Sequence, residues 1–239
     1  MSGHSKWSTI KRKKGAIDAE RGKIFAKLAK EIYVAAKSGD ADPNNNAALR
    51  MVVEKAKGQN MPKSNIENAI AKAKAKGNAE NYESIRYEGY GPSGIAIMID
   101  CLTDNKNRTA SFVRSTLTKR GGNLGTDGSV SYLFKRKGII ILDKKYDEEE
   151  LMNKVLELDV LDFKSEEDGY VVETTPDAFL LVKDELENSG FNEFIMSEVT
   201  FIPDNYIDLD DEASEKVVNL IEYLEELDDV QSVYHNLDI

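Results

Sequence analysis

With 239 residues, 41% hydrophobic and 31% charged, the chain is long enough for two or three folded domains and reads as globular. No stretch approaches the roughly 18 to 20 apolar residues of a membrane span, and a single cysteine, Cys101, excludes an internal disulfide. Evenly spread, a net charge of −11 would argue against a polyanionic partner.

The charge is not evenly spread. Met1–Lys76 holds 17 basic against 7 acidic side chains, a balance of +10, and the rest holds 15 against 36, a balance of −21. Such asymmetry points to nucleic-acid or membrane contact, and otherwise to a solvated lysine-rich face. Met1–Ile10 has no apolar run of a secretory signal, and Ser2 stands where myristoylation needs glycine. The expected compartment is a reducing cytoplasm, with Cys101 a small buried hydrophobe.

Ile24, Leu28, Ile32 and Ala35 or Ala36 form one stripe of a first helix, and Lys23, Lys27, Lys30 and Lys37 form another. Ser38-Gly39 ends it. Asp42 is the expected cap of a second helix, with Pro43 at its first position. Ala48, Met51, Val52 and Ala56 give that helix its seam, and Gly58 closes it. A third helix starts at Pro62 or Ser64, where Ser64 and Glu67 have capping-box spacing. Ile66, Ala69, Ile70 and Ala73 face inward and Gly77 stops it. So many alanines predict a thin core, less stable than the rest.

Asn78–Asn81 reads as a linker, after which strands and helices alternate. Strands are expected at Ser84–Tyr90 and Gly94–Thr103, a helix at Arg108–Arg120, and two separate strands at Ser129–Lys135 and Gly138–Asp143. Then come a helix near Asp147–Glu157, strands at Val160–Ser165 and Gly169–Glu173, and a helix at Pro176–Asn188. A strand at Met196–Ile202, a helix at Asp211–Leu227 and a strand at Val230–His235 complete the chain. Gly138–Pro203 thus has the β-α-β-β-α-β order of a ferredoxin-like unit, inserted between elements that pair around it.

Lys6, Lys11, Arg12, Lys13, Lys14, Arg21, Lys23 and Lys27 crowd around Trp7, the only tryptophan. Each cation that meets a phosphate releases condensed counterions. Trp7 either stacks on a base or anchors the arm in a small core. Asn107 and Arg108 open a helix, where anions are favoured, and Arg114, Lys119 and Arg120 continue a basic surface. The plainer reading is a helix cap by Asn105 or Asn107.

Neither glycine-rich segment is a nucleotide fingerprint. Tyr87–Gly94 lacks the Lys-Ser/Thr ending of a P-loop, and Gly121–Ser129 follows a helix instead of a strand. The amides of Gly121–Ser129 either cradle a phosphate or form a simple loop. His4 and His235 are far apart, and no His/Cys cluster has zinc spacing. The expectation is therefore no catalytic residue, no metal, no cofactor and no small-molecule substrate.

Six segments carry a resemblance to the YebC/PmpR family. They are Gly3-His4-Ser5-Lys6-Trp7, Asp18 with Arg21-Gly22-Lys23, Tyr87–Pro92, Asp104-Asn105 with Asn107-Arg108-Thr109, Gly121–Val130, and Asp228–Gln231 with Val233–Asn236. The resemblance implies three domains, no cofactor and no catalytic residues. Some members look like DNA-binding transcriptional regulators; others act in translation, including a mitochondrial translational activator and members implicated in relieving ribosome stalls.

The expected fold class is α+β. An N-terminal three-helix domain (1–77) is followed by two ferredoxin-like α/β domains, one (138–203) inserted in the other (82–137 with 204–239). The expected partner is nucleic acid, either DNA in transcription regulation or RNA within the ribosome in translation. A third reading is an adaptor whose acidic α/β surface binds proteins. No helix-turn-helix recognition helix and no RRM aromatic pattern stands out, which favours phosphate and shape recognition over a base code.

Overall fold

The structure, a computed structural model, describes residues 17–75 and 81–238. These form seven helices and two four-stranded antiparallel sheets, an α+β fold. The helices are α1 (Ile17–Ser38), α2 (Ala47–Gly58), α3 (Lys63–Lys74), α4 (Lys106–Lys119), α5 (Glu148–Leu156), α6 (Phe179–Asn188) and α7 (Asp211–Glu225). The strands are β1 (Glu83–Tyr90), β2 (Ala96–Thr103), β3 (Asn123–Leu124), β4 (Phe134–Leu142), β5 (Asp162–Glu166), β6 (Gly169–Thr174), β7 (Phe194–Pro203) and β8 (Val230–His235). The linker expected at Asn78–Asn81 lies, except for Asn81, outside the described residues.

The chain divides into two compact units. The first draws its described residues from Met1–Glu31, Lys76–Lys135 and Ile202–Ile239. Its sheet has the order β3-β1-β2-β8. β1 and β2 form a hairpin from Glu83↔Thr103 to Tyr90↔Ala96, and β8 adds along β2. Strand alternation puts Ile97, Ile99 and Cys101 on one face, and a bulge in β8 opposite Asp100 and Cys101 lets Val230 share that face with Val233. There they meet Val113 and Leu117 of α4 and Val217, Leu220, Ile221 and Leu224 of α7. Cys101 is buried in this core, and burial pushes its thiol up to about 12, so it is no thiolate nucleophile at neutral pH.

The second unit draws on Ile32–Ala75 and Arg136–Phe201. Its sheet has the order β5-β6-β4-β7, the arrangement expected of the ferredoxin-like pattern. Ile140, Leu142, Tyr170 and Val172 pack against Leu151 and Val155 of α5 and Phe179, Val182 and Leu186 of α6. The first sheet shares this construction, helices over a four-stranded antiparallel sheet, but reaches it through a central hairpin and different connections. Met51 of α2 joins the second core. Glu54 of α2 meets the buried Lys183 ammonium of α6 at 2.9 Å. The alanine-rich helices thus fall in the same unit as the second sheet.

Three local expectations are corrected. The cap of α2 is Asn46, not Asp42. Its Oδ1 accepts from the Leu49 N–H (3.0 Å) while its Nδ2 donates to the carbonyls of Ala35 (2.9 Å) and Asp40 (2.7 Å), a donor role that a carboxylate lacks. Asp42 instead orders the preceding turn through the Asn44 N–H. At α3, Pro62 is the cap position and no side chain caps the helix, so Ser64 forms no capping box. Finally, β4 is one strand running through Gly138, and the chain before it is a short 3-10 turn at Ser131–Leu133. A side chain at Gly138 would collide with Thr174 and Phe179, so this glycine admits close packing and does not break the strand.

Candidate nucleic-acid interface

Lys6, Trp7, Lys11, Arg12, Lys13 and Lys14 lie outside the described residues. Arg21 and Lys23 are exposed on α1. One turn further on, the lysines face the protein. Lys27 Nζ donates to the Glu225 carbonyl at 2.5 Å. Lys30 Nζ donates to the Asp228 carbonyl at 3.2 Å and lies 3.6 Å from the Asp229 carboxylate. These cations sit at the carboxyl end of α7, where the free carbonyls carry partial negative charge. Burial lowers the Lys27 pKa below the usual lysine range, with Glu225 and Asp228 pulling the other way. Lys27 is half-buried, and its ammonium is committed to the fold.

α4 divides its residues similarly. Asn105 caps it, its Oδ1 accepting from the Arg108 N–H at 3.1 Å. Arg108 Nη2 donates to Asp104 (2.7 Å) and to Asp229 (2.8 Å). Thr109 Oγ1, which is buried, also donates to Asp229 (2.8 Å). Desolvation would raise the Asp229 pKa, but the bonds from Arg108 and Thr109 outweigh it and hold the carboxyl below its usual range. Arg108 therefore ties α4 to the start of β8. Asn107 and Arg114 are exposed, as is Lys119. Arg114 and Lys119 have no ion-pair partner among the described residues. Arg120 stacks on the Tyr223 ring. Lys106 pairs with Glu83.

The glycine-rich loop does make an anion cradle, filled by a side chain of the protein. Glu88 on β1 accepts from the N–H groups of Gly128 (2.9 Å), Val130 (2.7 Å) and Ser131 (2.7 Å). Its carbonyl takes the Gly125 N–H at 2.8 Å, and Tyr90 Oη donates to the Ser129 carbonyl at 3.0 Å. A side chain at Gly89 would collide with the Asn123 carbonyl, so glycine is what lets β3 approach. Burial would raise the Glu88 pKa, but the three amides outweigh that and hold it low. The sequence reading overlooked both carboxylates. The available signal was an acidic residue inside each glycine- or polar-rich segment, Glu88 within a strand and Asp229 just before one.

Tyr87–Pro92 is thus bonded to Gly121–Val130, and Asp104–Thr109 to Asp228–Val230, within one unit. Among the described residues, no group of three or more His, Cys, Asp or Glu side chains is placed to hold a metal ion. No described helix is long and apolar enough to cross a membrane.

Residues 5–76 match the family described as TACO1/YebC protein N-terminal domain, and residues 82–237 match TACO1/YebC second and third domain. A probable transcriptional regulatory protein of Geobacillus kaustophilus is 54% identical over 241 residues, covering 100% of this chain and 98% of that one. The probable transcriptional regulatory protein YrbC of Bacillus subtilis is 54% identical over 239 residues, covering 99% of each. The crystal structure of a conserved hypothetical protein from Aquifex aeolicus superposes with a TM-score of 0.81 at 44% identity, covering 93% of this chain and 92% of that one. With matches that run through both sheets and the amino-terminal helices, the chain belongs to the TACO1/YebC family.

Proposed function

We propose that the chain is a nucleic-acid-binding regulator of gene expression, acting first of all on DNA as a transcriptional regulator. The observation that carries this is the segregation of charge, +10 over Met1–Lys76 within a chain of net −11. Repulsion by the acidic remainder would leave the main contact to the basic segment. The names of the relatives, probable transcriptional regulatory proteins, fit this reading. In it, residues 1–77 supply the main polyanion contact, through Lys6, Trp7, Lys11–Lys14, Arg21 and Lys23. The segment 82–137 with 204–239 supplies a second contact through Asn107 and Arg114, and the inserted 138–203 completes the scaffold. Lys27 and Arg108 act by holding α1 and α4 in place.

A translation factor bound to RNA or the ribosome is the second reading. It is favoured by the makeup of α4, whose exposed cations and hydroxyls suit phosphate and shape recognition better than a base code.

Binding of duplex DNA by the full chain is expected to fall steeply with salt. Log affinity against log salt should have a slope of about −0.9 per neutralised phosphate. Replacing Lys11, Arg12, Lys13, Lys14 and Lys23 with alanine should flatten that slope by about 4.5 if each meets a phosphate. A slope near zero for the unaltered chain, or no change in the variant, defeats the proposal. Crosslinking in cells, followed by sequencing of bound DNA and bound RNA, separates the two readings.

A further inference from the structure

α4 is the only helix among the described residues whose sequence contains no aspartate or glutamate. It carries Lys106, Arg108, Arg114 and Lys119 within a region of strongly negative balance. Its inward stripe is Thr109, Val113 and Leu117, all buried. At about 100° per residue, the outer surface runs from Arg114 and Asn107 on one flank, across Thr118, Ser111 and Ser115, to Lys119 and Phe112 on the other. Phe112 is 52% exposed, whereas the other phenylalanines among the described residues are buried or half-buried. The position costs apolar exposure, and a helix anchored at both ends holds it. Arg108 binds Asp229 at one end, and Arg120 stacks on Tyr223 at the other.

We infer that this surface binds an unpaired stretch of nucleic acid, with Phe112 stacking on a base. The inference rests on the reading of the chain as a polyanion binder and narrows its ligand. A duplex hides the faces of its bases and offers a helix surface only edges and phosphates, whereas an unpaired strand offers the faces. A strand crossing α4 meets cations on both flanks, hydroxyls able to bond phosphate or sugar between them, and one aromatic ring. No carboxylate on the helix repels it. The same ring on a protein-docking surface would call for acidic or apolar neighbours on the partner. Arg114 and Lys119, which have no ion-pair partner among the described residues, select a phosphate-bearing one.

The test uses the full chain with three fluorescent probes of equal length: oligo-uridylate RNA, oligo-thymidylate DNA and a mixed-sequence duplex, each measured by anisotropy at low salt. Phe112→Ala should weaken one or both single strands by about fivefold or more, while duplex affinity changes less than twofold. Phe112→Trp should restore single-strand binding. Loss on the RNA probe alone identifies RNA as the source of the strand, and loss on the DNA probe alone identifies DNA. Because the ring is largely exposed, thermal unfolding of both variants should match the unaltered chain. Salt-dependent binding that Phe112→Ala leaves within twofold on both single strands overturns this inference while sparing the proposed function. An unaltered chain that binds none of the three probes overturns both.

Discussion

In the first unit, three backbone amides converge on Glu88, and a guanidinium and a hydroxyl converge on Asp229. In the second, aliphatic and aromatic side chains fill the space between sheet and helices, and the buried Lys183 is matched by Glu54 and Glu187. Four of the six segments that carry the family resemblance lie in the first unit's sheet and its adjoining helix and loops, and none lies in the second sheet. A buried hydrogen-bond network tolerates few substitutions, because each partner left unpaired costs about 1–3 kcal/mol. An apolar core of the right volume admits swaps among Leu, Ile, Val and Met at about 1.5 kcal/mol or less. Recognisable sequence therefore marks where the polar geometry is strict, and it does not by itself mark where a ligand binds.

The sharpest way to break the contrast is to damage each unit in its own currency. Phe179→Ala removes a fully buried ring from the second core and should lower stability by about 3–5 kcal/mol in denaturant titration. Phe179→Leu should recover most of it, as expected where volume matters more than identity. Glu88→Ala should cost about 2–4 kcal/mol by the same measurement, since the buried Val130 amide and its two neighbours lose their acceptor. Here Glu88→Gln should recover only part, because an amide side chain has one acceptor oxygen where the carboxylate has two. If the two conservative variants recover equally, the distinction between the units fails.

Acid gives a smaller effect of the same kind. Folding holds the carboxyls of Glu88 and Asp229 below their usual range, so their contribution is complete above about pH 4 to 5, where the unfolded carboxyls are already ionised. It is lost as pH falls through the folded pKa values. Asp229→Asn should therefore lower stability by about 1–2 kcal/mol near neutrality and flatten the decline between about pH 5 and 2. An unchanged acid limb in the variant would show that Asp229 is no part of it.

The periodicity of apolar residues placed the helices and most strands to within a few residues, including α7 from Asp211 and β8 at Val230–His235. The places it misread share a cause. Asp42 has good cap chemistry, but Asn46, whose amide bonds Ala35 and Asp40, takes the position, and Ser64 and Glu67 have the spacing of a capping box at a helix that no side chain caps. Gly138 reads as a break because glycine usually is one, yet the neighbouring Thr174 and Phe179 need the space its missing side chain leaves. Among the candidate cations, one-letter charge cannot distinguish Lys23, facing water, from Lys27, donating to a carbonyl 198 residues away in the chain.

What the sequence by itself determined was the amphipathic pattern of each element, the ferredoxin-like order of residues 138–203, the family and the uneven distribution of charge. These depend on residue type and spacing, which local geometry preserves. Only the tertiary structure decided which charges are met by partners within the protein: Glu88 filling the glycine-rich cradle, Arg108 held by Asp229, and Lys27 and Lys30 at the end of α7. An ionised side chain is stabilised by whatever opposite charge or dipole comes within a few ångströms, and that proximity is made by chain segments far apart in sequence.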